Sequence, residues 1–399
     1  MKPQFFRKVL NNGMTVILEK RELPIVSVAF ATRYGGIHES ADERGIAHFI
    51  EHMLYKGTKK RTNKQIAEEI EKNGGEMNGF TNEIMTAFWC KMPSKHLDVA
   101  LNVLSDMVKN PLFDSKETEK ERKVIFEEMK IYHDNPQHYV FEKIQEMLYD
   151  GPLNTPLIGT HETMNSIDRK KLLAKFEKSY KPDNLILCVV GDADFSELVK
   201  FAEKNFGNEK GILKEQKIIL KNAKKTEIRK GIDQANIVLA FHSPLSTDKK
   251  AYAAEVLMTM IGDGMSSRLF QEVRAKRNLV YSIHGSLESS KYFSYSYVYA
   301  GCLKENVEKV KKLILEEFEK VSREITEKEL NQVKEQLIGN YYISMEDSAL
   351  HLDKLISSEV DDDIEEFYKY EKNIKSVKLE DVKKLAKIKD YSFFALVPE

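Results

Sequence analysis

Gly45-Ile46-Ala47-His48-Phe49-Ile50-Glu51-His52-Met53-Leu54-Tyr55-Lys56-Gly57 is the stretch from which the rest of the chain can be read. Its apolar residues, Ile46, Phe49, Ile50, Met53 and Leu54, recur at helical steps, and a glycine stands at either end. A helix over residues 44–55 puts His48 and His52 one turn apart on one face, where both imidazoles reach one ion, with Glu51 beside them. Imidazole nitrogen suits zinc, and a hydrolytic zinc site keeps a position for a water whose pKa falls to about 7. A carboxylate next to the ion can then take the water's proton and pass it to a leaving group. The competing reading is three polar groups tolerated in an apolar helix. Burying them without a role is unfavourable, and this pentapeptide arises by chance only on the order of 10⁻² of the time.

Two histidines are too few for such a site, so a third ligand is expected. A helix over 116–132 offers Glu127 and Glu128, and periodicity separates them. Glu128 shares a face with Glu121, Ile125 and Tyr132, whereas Glu127 lies with Lys120, Lys123, Lys130 and Asp134. Glu128 is therefore the expected ligand and Glu127 a surface residue. Glu121 is a candidate to orient a ligating histidine, with a surface salt bridge as the competing reading.

Outward from these motifs, strands are expected at 15–18 and 25–32, a strand pair at 76–80 and 86–92, and an apolar strand at 184–190. An Asn12-Gly13 hairpin turn precedes the first of them. Further helices are expected at 63–73, ended by Gly74-Gly75, and at 97–109. Asp134-Asn135-Pro136 breaks the helix that bears Glu128. Residues 205–224 are polar and lysine-rich and read as a linker. Beyond them the order recurs: strand 237–241, helix 251–261, strand 294–301, helices 307–321 and 327–343, strand 393–397. The reading is an α+β chain of two homologous domains, 1–210 and 225–399, the first holding the metal motif.

The 399 residues suit two domains of about 200 residues each. A formal net charge of -1 gives no electrostatic case for nucleic acid or an anionic membrane. No apolar run is long enough to span a bilayer, and no secretory or transit segment is seen. Cys90, Cys188 and Cys302 are far apart and odd in number, which argues against disulfides and fits a cytoplasmic chain.

These residues resemble the M16 peptidases, a family that includes pitrilysin, insulin-degrading enzyme and the mitochondrial processing peptidase. In the first half the likeness rests on the inverted His48-x-x-Glu51-His52 motif with Gly45, Gly57 and Thr58, and on Gly74-Gly75-x-x-Asn78. Glu121-Arg122-x-Val124-Ile125-x-Glu127-Glu128, Asp134-x-Pro136, Gly159-Thr160, Tyr180-x-Pro182-x-Asn184 and Gly191-Asp192 extend it. In the second half it rests on Gly264-Met265-Ser266-Ser267-Arg268-Leu269-Phe270 followed by Arg274 and Tyr281. The resemblance implies a processing-peptidase-like fold, each domain a mostly antiparallel mixed sheet covered by helices. It implies one zinc per chain on His48, His52 and Glu128, with Glu51 as general base. It also implies an edge strand with Asn78 and Gly79 that binds peptide by main-chain hydrogen bonds. Arg274 would hold the substrate and Tyr281 the developing oxyanion, against the plainer reading of an ion pair and a packed ring. The short length resembles members that dimerise to enclose a chamber for peptides. This chain carries both the zinc motif and the Arg/Tyr pair, which favours a homodimer. The rival functions are a non-catalytic core or partner subunit of the same family, and a zinc-carrying regulatory protein.

Overall fold

The structure, a computed structural model, describes residues 4–362 and 364–399. In chain order the strands are Gln4–Val9 (β1), Thr15–Lys20 (β2), Ile25–Thr32 (β3), Glu76–Thr81 (β4), Thr86–Pro93 (β5), Tyr149–Asp150 (β6), Leu185–Gly191 (β7), Ile219–Leu220 (β8), Lys224–Arg229 (β9), Ala235–His242 (β10), Val280–Ser289 (β11), Ser294–Cys302 (β12) and Ser392–Pro398 (β13). The helices that position the site are Ile46–Leu54 (α1), Asn63–Glu71 (α2), Leu97–Lys109 (α3), Ser115–Asp134 (α4) and Pro136–Leu148 (α5).

The chain divides into two compact units, and neither is continuous in sequence. The first takes the residues up to Met129, then Gly151–Lys217 and Ser344–Val360; the second takes Lys130–Asp150, Ile218–Ile343 and Asp361–Glu399. This departs from the contiguous division at 1–210 and 225–399. Each sheet has two faces to cover, and in each unit a helix encoded amid the other unit's sequence covers one of them. The residues expected as a linker, 205–224, also include β8 and the first residue of β9.

In the first unit the strand order is β1-β2-β7-β3-β5-β4, antiparallel throughout except for the β2–β7 pair. β3 and β7 are apolar and almost wholly buried, as strands covered on both faces must be. α3 packs against β3 and β5, and the helix Ser348–Val360 packs against β3, β5 and β7. That helix docks through polar pairs as well as leucines. His351 meets Glu19 at 2.5 Å with both side chains buried, and Ser348 bonds Ser27 at 2.8 Å. Glu359 receives Arg7 and Arg33, each at 2.7 Å.

In the second unit the order is β11-β12-β10-β13-β9, with β13–β9 the parallel pair. Read from β9 it matches β2-β7-β3-β5-β4 strand for strand and sense for sense, so the two units are one topology used twice. α5 lies on β10 and β13. Tyr139 stacks edge-on to Phe394, and Phe141 edge-on to Tyr297. No helix among the described residues is long and apolar enough to cross a membrane.

Candidate metal centre

α1 is buried through Ile46, Ala47, Phe49, Ile50, Met53 and Leu54, so its orientation is fixed by packing. Gly45 at its start has φ 95°, a left-handed conformation, and a side chain there would meet the Ile158 carbonyl oxygen at 2.6 Å. Glycine offers no capping side chain, and a distant residue caps the helix instead. The buried Glu39 carboxylate accepts from Gly45 N at 3.0 Å and Ala47 N at 2.7 Å, placing negative charge at the helix N-terminus. Burial pushes Glu39 up to about 7 against the pull of Arg44 and the two amides. Arg44, itself buried, bridges Glu39 and Glu83 and so fastens the helix start.

α4 runs past α1. Its Arg122 lies over the Phe49 ring at 5.5 Å and donates to the Met164 carbonyl, which holds the helix against the motif. Glu121 and Ile125 are buried, Glu128 is half-buried and Glu127 is exposed. The fold thus brings His48, His52 and Glu128 together, their ligand atoms all within 4.8 Å of one another; among the described residues no other such group exists. Glu128 Oε2 lies 3.5 Å from His52 Nε2 and 3.8 Å from His48 Nε2. Those separations are close to the ~3.4 Å edge of a tetrahedron with ~2.1 Å arms, the coordination geometry of zinc.

The surroundings suit a cation. Burial, with His52 adding to it, lowers His48 to about 3, so its imidazole is neutral as a ligand must be; its buried Nδ1 has no hydrogen-bond partner among the described residues. Burial opposes charge on His52, but the hydrogen bond to Glu121 and the charges of Glu51 and Glu128 outweigh it and raise its pKa. His52 Nδ1 donates to Glu121 Oε2 at 3.2 Å, which leaves Nε2 facing Glu128. Glu121 in turn receives Lys56 at 2.6 Å, and the two hydrogen bonds keep it low despite burial. Glu51 is pushed up by burial and by Glu128, while Thr81 and His52 pull against both. Three carboxylates around two histidines, with one lysine among them, leave negative charge that a divalent ion would balance.

Asn78 and Gly79 lie on β4, the edge strand of this sheet. Asn78 is exposed and its Oδ1 accepts from Gly79 N at 2.9 Å. Gly79 leaves room for Tyr55, whose hydroxyl would sit 2.6 Å from a Cβ at that position. Arg274 and Tyr281 belong to the second unit. Arg274 is exposed and lies over Phe270 at 4.9 Å. Tyr281 is 61% exposed, at an irregularity in the β11–β12 register, so it is not a packed core ring. Sequence reasoning missed Glu39, Lys56 and Thr81. Only Lys56 left a signal, standing four residues after His52 on the same helical face.

The family model for insulinase, peptidase family M16, matches residues 15–161, and the model for the peptidase M16 inactive domain matches 166–337. A protein of Rickettsia felis named as an uncharacterized zinc protease is 34% identical over 88% of this chain and 86% of its own. The chain belongs to the M16 peptidase family. It has the small, two-domain form. Another M16-type relative, the uncharacterized zinc protease YmxG of Bacillus subtilis, is 32% identical over 85% of this chain and 84% of its own. The fold is shared with solved structures of a protease from Helicobacter pylori and a peptidase M16 inactive domain from Pseudomonas fluorescens. Their TM-scores are 0.93 and 0.90 at 22% and 19% identity, and both cover nearly all of either chain. In this M16 chain the helix Ala251–Gly262 is the counterpart of α1, and it carries no histidine.

Proposed function

We propose that the chain is a zinc-dependent endopeptidase acting on short or unfolded peptides. The observation that carries this reading is the convergence of His48, His52 and Glu128, with Glu51 on the helix that bears both histidines. His48, His52 and Glu128 would hold one zinc per chain. When bound, zinc supplies a Lewis acid that acidifies water and polarises a carbonyl. Glu51 accepts the water's proton and returns it to the departing amine. Glu121 holds the His52 ring through Nδ1, and Lys56 keeps that carboxylate charged. Asn78 and Gly79 lie on an edge strand, where an extended peptide can add by main-chain hydrogen bonds. Replacing Glu51 by Gln should leave bound metal in place and abolish cleavage of an unstructured peptide. Near-normal turnover in that variant would remove Glu51 as the base.

The three cysteines are buried and unpaired, which supports a cytoplasmic setting. The active form in this reading is a homodimer enclosing a chamber. Arg274 of one protomer would hold the peptide bound at its partner's metal, and Tyr281 would donate to the developing oxyanion there. Mixing inactive Glu51→Gln chains with inactive Tyr281→Phe chains tests it. Sharing between chains predicts that the mixed dimer regains one intact site and with it activity. No recovery after verified subunit exchange would place each site within one chain.

A further inference from the structure

A buried carboxylate that must act as a base needs its orientation fixed, because a rotating group spends little time aimed at its proton. Glu51 follows His48 on α1, and the helix fixes its Cα but not its outer torsions. The group that touches its carboxylate comes from β4. Thr81 Oγ1 lies 2.6 Å from Glu51 Oε2, the length of a hydroxyl donating to a charged oxygen. Oε1, the other oxygen, takes no hydrogen bond from any described residue.

Thr81 is itself held. It pairs directly across the sheet with Thr86 on β5, and the two hydroxyl oxygens are 3.3 Å apart. Thr86 is buried and donates to the Tyr34 carbonyl oxygen at 3.0 Å. A hydroxyl has one proton to give. With the Thr86 proton committed to Tyr34 and a carboxylate at 2.6 Å, the Thr81 proton goes to Glu51. The β-branch of Thr81 restricts its χ1, so the donor is stiff.

We infer that Thr81 is the positioning residue of the general base: its hydroxyl pins Glu51 Oε2 and leaves Oε1 presented for the water's proton. The inference rests on Glu51 being that base. It assigns β4 a second task, since the strand that would receive the peptide also sets the carboxylate that cleaves it.

Strand chemistry and hydroxyl chemistry rank substitutions oppositely here. Valine keeps the shape and β preference of threonine but lacks the hydroxyl, whereas serine keeps the hydroxyl and is the poorer strand residue. The test is steady-state cleavage of an unstructured fluorogenic peptide by the zinc-loaded full chain. The variants are Thr81→Val, Thr81→Ser, Thr81→Ala and Glu51→Gln, with zinc content measured in each. Thr81→Val should lower kcat by about 10- to 100-fold, the effect of losing a hydrogen bond to a charged group. KM and zinc content should stay near wild type. Thr81→Ala should share the kcat loss, and Thr81→Ser should stay within about threefold of wild type. In a Glu51→Gln background, Thr81→Val should lower any residual rate no further. Wild-type kcat in Thr81→Val and Thr81→Ala, or serine falling as far as valine, would overturn the assignment while Glu51→Gln remains inactive. An active Glu51→Gln chain would instead remove the base, and the assignment with it.

Discussion

Glu121 makes the sharpest test of how the metal site is held. Its side chain is 7% exposed and stands between His52 Nδ1 at 3.2 Å and Lys56 Nζ at 2.6 Å. Replacing it by Gln keeps the size and one acceptor oxygen but removes the charge. A hydrogen bond to a charged group contributes about 1.5–3 kcal/mol and a neutral one about half of that, so the change weakens the hold on His52 by about 1 kcal/mol. At 1.36 kcal/mol per decade, zinc affinity should fall by roughly fivefold to tenfold. Glu121→Ala also frees the ring to rotate, and loss of such a supporting carboxylate typically lowers metal affinity by about 10- to 100-fold. The assay is competition for zinc against a chelator of known affinity, with the fold checked by circular dichroism. Zinc affinity within twofold of wild type in folded Glu121→Ala would refute the argument that this carboxylate orients His52.

Glu128→Gln should lose zinc under mild chelation while Glu127→Gln retains it, because only Glu128 faces the histidines; equal loss in both would overturn the ligand choice. Gly79→Ala should destabilise the first unit by about 1–3 kcal/mol in urea melts, since its Cβ would crowd the Tyr55 hydroxyl, and Tyr55→Phe should recover part of that loss. No recovery would mean that the nearby Ala87 carbonyl, not the phenol, sets the limit. Burial pushes the Cys90 thiol up to about 12 and Cys302 up to about 11, and it raises Cys188 as well. All three should therefore resist alkylation at pH 8 in the native chain and react in guanidinium. Rapid native labelling of any of them would contradict the packing.

The sequence showed most plainly what is local and periodic. The helix expected at 97–109 forms there, α1 follows its apolar steps, and the three- and seven-residue offsets along α4 separate Glu128 from Glu127. The repeated order of elements became a repeated sheet topology. What stayed hidden depends on partners far away in the chain. The helix Ser348–Val360 completes the first unit through His351, Ser348 and Glu359, polar residues whose burial no hydropathy pattern can mark. Glu39 acts on α1 from outside the helix, where a side chain at Gly45 itself would have been the usual cap. Thr81 looks like any strand threonine until β4 is laid beside α1.

The central claim is that one ion on His48, His52 and Glu128 drives peptide hydrolysis with Glu51 as base. Its most direct test is to strip the chain of metal and titrate zinc back while recording bound zinc and the rate of cleavage of an unstructured peptide. The account predicts a rate that rises in proportion to bound zinc and levels off near one ion per chain, with Glu51→Gln binding the same zinc and cleaving nothing. Cleavage by metal-free chain, or saturation with zinc that leaves the wild type as inactive as Glu51→Gln, would contradict it.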